Sequence, residues 1–111
     1  MEAPCVFCRI IAEQLPAKVI EETNDLLVIQ DISPKAPVHW LIMPKKHVAD
    51  IQGLGEEDTA LSASMVLMAK KLSEKLPGKK SFRLVVNNGH EAGQRVFHLH
   101  FHFLAGTQME P

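Results

Sequence analysis

The sequence predicts an α+β fold: a mainly antiparallel five-stranded sheet with one long and one short helix. Three observations carry this. Short β-rich runs are joined by links too brief to hold a crossover helix. One long stretch has helical periodicity, and one heptapeptide near the C-terminus alternates strictly. The order of elements is helix, strands, helix, strands, which fits helices segregated on an antiparallel sheet.

Cys5–Glu13 reads as a short helix, with Phe7, Ile10 and Ile11 at i, i+3, i+4 spacing and Pro16 as its stop. Lys18–Glu21 and Leu26–Gln30 form a hairpin around the polar turn Glu22-Thr23-Asn24-Asp25. Ser33–Pro37 is a loop, because Pro34 and Pro37 forbid both helix and ladder. Val38–Met43 is a third strand, closed by Pro44. The long helix spans Glu56–Leu76. Leu61, Met65, Met68, Leu72 and Leu76 make one apolar stripe, so the methionines are core filler. Its acidic start (Glu56, Glu57, Asp58) and basic end (Lys70, Lys71, Lys75) suit the helix dipole, and Pro77-Gly78 ends it. Ser81–Asn87 is the fourth strand, Asn88–Arg95 a glycine-bearing loop and Val96–Leu104 the fifth strand.

The 111 residues, 46% of them apolar, suit one domain over residues 1–111. Twelve basic against thirteen acidic residues, a net charge of −1, argue against a nucleic-acid binder that works through bulk charge. No apolar run exceeds Met65–Ala69, so no membrane partner is expected. Met1-Glu2-Ala3-Pro4 lacks a basic-then-apolar export signal, so a cytoplasmic location with reduced cysteines is expected.

Six histidines in a chain without tyrosine demand an explanation. His98, His100 and His102 alternate with Leu99, Phe101 and Phe103, so a strand would place the imidazoles on one face and the apolar residues in the core. A solvated polar face would normally use Lys, Glu, Thr or Ser. A metal site is a second reading: neighbouring imidazoles start roughly 6.6 Å apart, but the outer pair starts about 13 Å apart, so three on one ion need a bent strand. Catalysis is the third, since imidazole suits nucleophilic and acid–base work near neutral pH. The preceding loop, Asn87-Asn88-Gly89-His90-Glu91-Ala92-Gly93-Gln94, favours it. Its glycines let backbone N–H groups approach an anion, and Asn and Gln add neutral donors.

Residues 98–104 match in full the motif His-x-His-x-His-x-x, with x apolar, of the histidine-triad (HIT) family, which the chain resembles. Phe7-Cys8-Arg9-Ile10-Ile11, Pro16-Ala17-Lys18, Asp31-Ile32-Ser33-Pro34, Pro37-Val38-His39, Pro44-Lys45-Lys46-His47 and Gly93-Gln94 resemble its Hint branch of nucleotide-binding proteins. The resemblance implies a HIT-like fold, a homodimer whose sheets join, and a purine nucleotide (AMP- or GMP-like) in each subunit. It implies hydrolysis of nucleoside phosphoramidates or related nucleoside 5′-phosphate derivatives. By motif position His100 is the nucleophile, His102 contacts phosphate and leaving group, His98 hydrogen-bonds within the triad in support of His100, and His39 is the upstream active-site histidine. Asn87, Gly93, Gln94 and position 95 match the phosphate contacts, Asp31 the ribose contact, and Phe7, Ile10, Ile29 and Ile32 the base pocket. Read without the family, Asp31 is equally a turn cap and His39 a satisfied half-buried histidine. Histidine at 102 fits hydrolases, because the family's nucleotidylyl transferases carry glutamine there. Arg95 departs from the pattern: several members have serine. Catalysis needs no cofactor on this reading. Some members with Cys-x-x-Cys bind a structural zinc, and the matching ligands here are Cys5, Cys8, His47 and His98; two small semi-buried cysteines are the plainer reading. A regulatory nucleotide- or zinc-binding module, or a dinucleoside polyphosphate hydrolase, is the alternative.

Overall fold

The computed structural model describes residues 5–111. Its elements are α1 (Val6–Ile11), β1 (Val19–Glu22), β2 (Leu26–Gln30), β3 (Val38–Pro44), α2 (Thr59–Ser73), β4 (Arg83–Val85) and β5 (Phe101–Ala105). Short 3-10 turns at Ile51–Gly53, Glu56–Asp58 and His90–Ala92 complete it. The five strands form one sheet in the order β1-β2-β3-β5-β4, with antiparallel pairing at every step. The last strand in sequence thus lies between β3 and β4. No described helix is long and apolar enough to cross a membrane.

Both faces of the sheet are covered. Leu26 and Val28 of β2, Ile42 of β3 and Phe103 of β5 pack with Met65, Met68, Ala69 and Leu72 of α2. The intervening residues Leu27, Ile29, Leu41 and Met43 face the other way and pack with Phe7, while Ile10 and Ile11 close the edge. Alternation along β2 and β3 therefore buries apolar side chains on both sides. Each of the larger ones contributes about 1.5–3 kcal/mol.

The long helix is shorter than its sequence periodicity. Glu56–Asp58 forms a tighter turn because Asp58 folds back, its Oδ2 accepting from Gly55 N–H at 3.0 Å and its Oδ1 pairing with Lys46 at 2.7 Å. The first helix also stops early. Cys5 caps it, its Sγ accepting from the Cys8 N–H, and the chain leaves through Glu13 at φ +62°.

The fifth strand starts at Phe101, not at Val96, and the reason lies outside the segment. The ladder with β3 runs from Val38↔Ala105 to Ile42↔Phe101 and ends there. The Leu99 N–H donates instead to the Val48 carbonyl (2.7 Å) in the loop after β3. Side-chain alternation survives the loss of pairing: Leu99 and Phe103 are buried in the α2-side core with Phe101 packed beside them. The fourth strand likewise keeps only Arg83–Val85 of the expected Ser81–Asn87.

Candidate active site

The histidine face is not open to solvent. α1 lies over it, so His98 is fully buried and His100 nearly so. The Phe7 ring meets His98 and His100 edge-on, at 5.9 and 5.0 Å between centroids. The three rings then take different partners.

His100 turns its Nδ1 to the backbone carbonyl of His98 at 2.7 Å. A carbonyl only accepts, so Nδ1 carries the proton and Nε2 keeps a lone pair. Burial lowers the pKa of His100, so the ring is neutral at pH 7. The support from residue 98 therefore comes through its main chain; no hydrogen bond joins the rings of His98 and His100. The His98 ring points elsewhere. Its Nε2–H donates to the Pro44 carbonyl at 2.7 Å, leaving Nδ1 unprotonated. That nitrogen lies 3.3 Å from Cys5 Sγ, 3.6 Å from Cys8 Sγ and 3.3 Å from His47 Nδ1.

His102 pairs with His39. The two belong to neighbouring strands, His39 standing two residues along β3 from Leu41, the cross-strand partner of His102, and His39 Nε2 lies 2.9 Å from His102 Nδ1. Proton positions follow along the chain of bonds. Lys35 N–H donates to His39 Nδ1 at 3.0 Å, so the proton of His39 sits on Nε2 and is given to His102 Nδ1. The proton of His102 then sits on Nε2. Burial first, then the neighbouring His100 and His39, push the His102 pKa down to about 4. Burial likewise lowers the pKa of His39.

A cavity of about 650 Å³ opens beside these rings. His100, His102, Phe7, Ile10, Ile29, Asp31, Ile32, Asn87, Gly93, Gln94 and Arg95 all line it. His39 and His98 do not; His39 touches the lining residues His102, Asp31 and Lys35 from behind. The sequence reading missed Val6, Lys35, Leu41 and Val96 on the same walls. Val6 and Leu41 continue apolar runs of α1 and β3, whereas Val96 and Lys35 gave no local signal.

Several of these side chains hold the site's shape. Asp31 does two things: Oδ1 accepts from Ser33 N–H at 2.7 Å, capping the turn, while Oδ2 lies 3.5 Å from His39 Nε2. Gln94 is 2% exposed and its amide is committed: Nε2 donates to the Ala49 and Val96 carbonyls, and Oε1 accepts from Gly89 N–H. Asn88 is likewise spent on Ile51 N–H and Gln52. Gly93 adopts φ +98°, which an L side chain resists. Ile32 is 99% exposed and stands at the lip of the cavity.

Two clusters of donor atoms among the described residues could hold a metal ion. Cys5 Sγ, Cys8 Sγ, His47 Nδ1 and His98 Nδ1 all lie within 4.8 Å of one another. A zinc tetrahedron with Zn–S near 2.3 Å and Zn–N near 2.0–2.1 Å has edges of about 3.4–3.8 Å. The spacings around His98, 3.3 to 3.6 Å, fit, and the His98–Pro44 bond fixes the tautomer a ligand needs. The second cluster, Asp31, His39 and His102, fits less well. The proton on His39 Nε2 occupies the position a metal would take as long as Lys35 N–H holds Nδ1.

Comparison with known proteins places this geometry. A model of the HIT domain matches residues 12–109. An uncharacterized HIT-like protein of Synechocystis sp. is 42% identical over 106 residues, covering 96% of this chain and 93% of that one. A HIT family hydrolase of Clostridium thermocellum superposes with a TM-score of 0.93 at 41% identity, covering 100% of this chain and 97% of its own. A zinc-bound histidine triad family protein of Mycobacterium smegmatis superposes at 0.78 with 32% identity, over 90% of this chain and 73% of its own. With His100 and His102 of the His-x-His-x-His run at the wall of the cavity and agreement along nearly the whole sequence, the chain belongs to the HIT family.

Proposed function

We propose that this chain is a nucleotide-binding hydrolase of the Hint branch, a single HIT domain that cleaves purine nucleoside phosphoramidates or aminoacyl-adenylate-like nucleoside 5′-phosphate derivatives. The observation that carries it is the neutral His100, whose Nδ1–H is tied to the His98 carbonyl and whose Nε2 lone pair is free. The hydrolase named above, similar over its full length, supports the class of reaction.

The geometry supports the following roles. Phe7, Ile10, Ile29 and Ile32 would hold the purine and Asp31 Oδ2 the ribose diol. An apolar slot discriminates weakly between bases, so selectivity is modest. Asn87, Gly93, Gln94 and Arg95 would surround the phosphate, Gln94 chiefly as a brace for the loop. His100 Nε2 attacks the α-phosphorus, a P–Nε2 bond forms, the P–N bond to the amine breaks, and the departing nitrogen takes its proton from His102, which is an imidazolium while the anionic phosphate is bound. His102 presents its Nε2–H to the phosphate or the departing nitrogen, and an anionic phosphate raises its proton affinity from the low value of the empty site. Water then cleaves the P–Nε2 bond and restores His100. His39 keeps His102 in its tautomer.

Cys5, Cys8, His47 and His98 would hold a structural zinc, which closes its own shell and leaves catalysis without a cofactor. A homodimer in the cytoplasm, with neither nucleic acid nor membrane as partner, completes the proposal. The test is to incubate the protein with an adenosine phosphoramidate labelled at phosphorus and look for labelled histidine. The expected result is a nucleotidyl adduct on the native chain and none on His100→Ala, which still binds nucleotide but loses at least about a thousandfold in turnover. Near-normal turnover by that variant sinks the mechanism; binding without any adduct on the native chain marks a nucleotide-binding module instead.

A further inference from the structure

Two cations stand on the cavity wall, one positive charge more than a singly anionic α-phosphate matches. Lys35 and Arg95 both line the cavity with His100 and His102, and neither joins an ion pair among the described residues. Arg95 is held in an unusual way. Its Nη1 donates to the carbonyls of His90 and Gln94, both at 3.1 Å, which uses both protons of that nitrogen. Its Nε–H and the two protons of Nη2 are unspent among the described residues. Those two nitrogens form the edge with which a guanidinium grips a carboxylate or phosphate through two parallel bonds. The side chain is thus anchored by one corner with its anion-binding edge unoccupied. Lys35 spends one of its three protons on the Ser33 carbonyl at 3.1 Å. Its charge reaches the catalytic end of the cavity, where it disfavours protonation of both His39 and His102.

The α-phosphate by itself does not account for both. Asn87 and the His102 Nε2–H already offer neutral donors to it. The Asn87 amide has no partner among the described residues, and Gly93 stands beside it, 4.0 Å from its Cγ to where a β-carbon would lie. A leaving group that is a neutral amine gives neither cation a counter-charge, and a cationic one is repelled by both.

The geometry points to a substrate whose leaving group carries its own anion, a carboxylate or a phosphate, gripped by Arg95 with Lys35 in support. Arg95 is then the residue that sets leaving-group specificity. This rests on the hydrolase reading above and adds the class of leaving group to it.

The test compares three adenosine phosphoramidates that share one P–N bond and differ at the far end of a small amine: glycinamide, glycine and aminomethylphosphonate. The native protein is expected to favour the carboxylate or phosphonate substrate over the carboxamide by about tenfold in kcat/KM at low ionic strength. The preference shrinks at high salt, because the cation is exposed. Arg95→Ser brings the ratio towards one, whatever happens to each rate alone. Arg95→Lys, which keeps the charge and loses the paired bonds, falls between. The larger of the two anionic ratios tells carboxylate from phosphate recognition. Turnover of all three at equal efficiency by the native protein, or a ratio unchanged in Arg95→Ser, overturns the proposal while leaving the hydrolase reading intact. Turnover of none, with no labelled histidine, overturns both.

Discussion

Lowering the pH from 7 to 4.5 should destabilise the fold through His102. In the folded chain burial and the neighbouring imidazoles push its pKa from 6.5 to about 4. Unfolded, the ring returns to the ordinary value and binds protons more readily than the folded one between these two limits. Stability therefore falls as the pH drops through that window, and His102 contributes little to the slope above about pH 8. At pH 4.5, protonation favours the unfolded ring by about 2.7 kcal/mol and the folded ring by only about 0.2 kcal/mol. The ring is half-buried, so solvent screens part of this, and about 2 kcal/mol is expected. The comparison variant is His102→Gln, whose amide oxygen still accepts from His39 but cannot titrate. Urea unfolding reads the difference, followed by the single tryptophan, Trp40, which stacks on Phe103 with centroids 5.5 Å apart. With a slope of about 2 kcal/mol per molar, the native midpoint should fall by about 1 M more than the variant's between pH 7 and 4.5, at fixed protein concentration. Equal losses in the two proteins would refute the assignment of this pH dependence to His102.

Other consequences can be checked separately. Gln94→Leu removes a buried amide that bonds the Ala49 and Val96 carbonyls and the Gly89 N–H, and should cost about 3 kcal/mol by chemical denaturation. Gly93→Ala finds room for its β-carbon but not for its backbone, so a loss of about 1–2 kcal/mol and a raised KM are expected. Leu72→Ala removes a fully buried side chain from the α2-side core and should cost about 3 kcal/mol, read as a lower unfolding midpoint. Elemental analysis after purification without chelators should find one zinc per chain, lost in Cys8→Ala; absence of zinc from the native protein removes the metal assignment.

Local patterns in the sequence reached a long way into this structure. The stripe Met65, Met68 and Leu72 found the buried face of α2, and Leu76 beyond its end joins the same core, because helical periodicity is a property of neighbouring residues. The hairpin of β1 and β2 and the two-faced alternation from Leu99 to Phe103 were legible for the same reason. The heptapeptide 98–104 also marked the site, since three imidazoles at period two have no ordinary structural use. What the sequence left undecided was where each imidazole turns. Three histidines on one face look equivalent, yet His98 faces the thiols of α1, His100 the cavity, and His102 the histidine of β3. Their partners lie 93 residues away for Cys5 and 63 for His39, so no window along the chain contains them. The start of β5 was missed on the same ground: Val48, remote in sequence, takes the N–H that a longer ladder would have used. Sequence alone determined which chemistry the strand carries, because residue type and period are local. Tertiary structure decided which nitrogen of each ring keeps its lone pair, because that is set by carbonyls and amides that only folding brings within 3 Å.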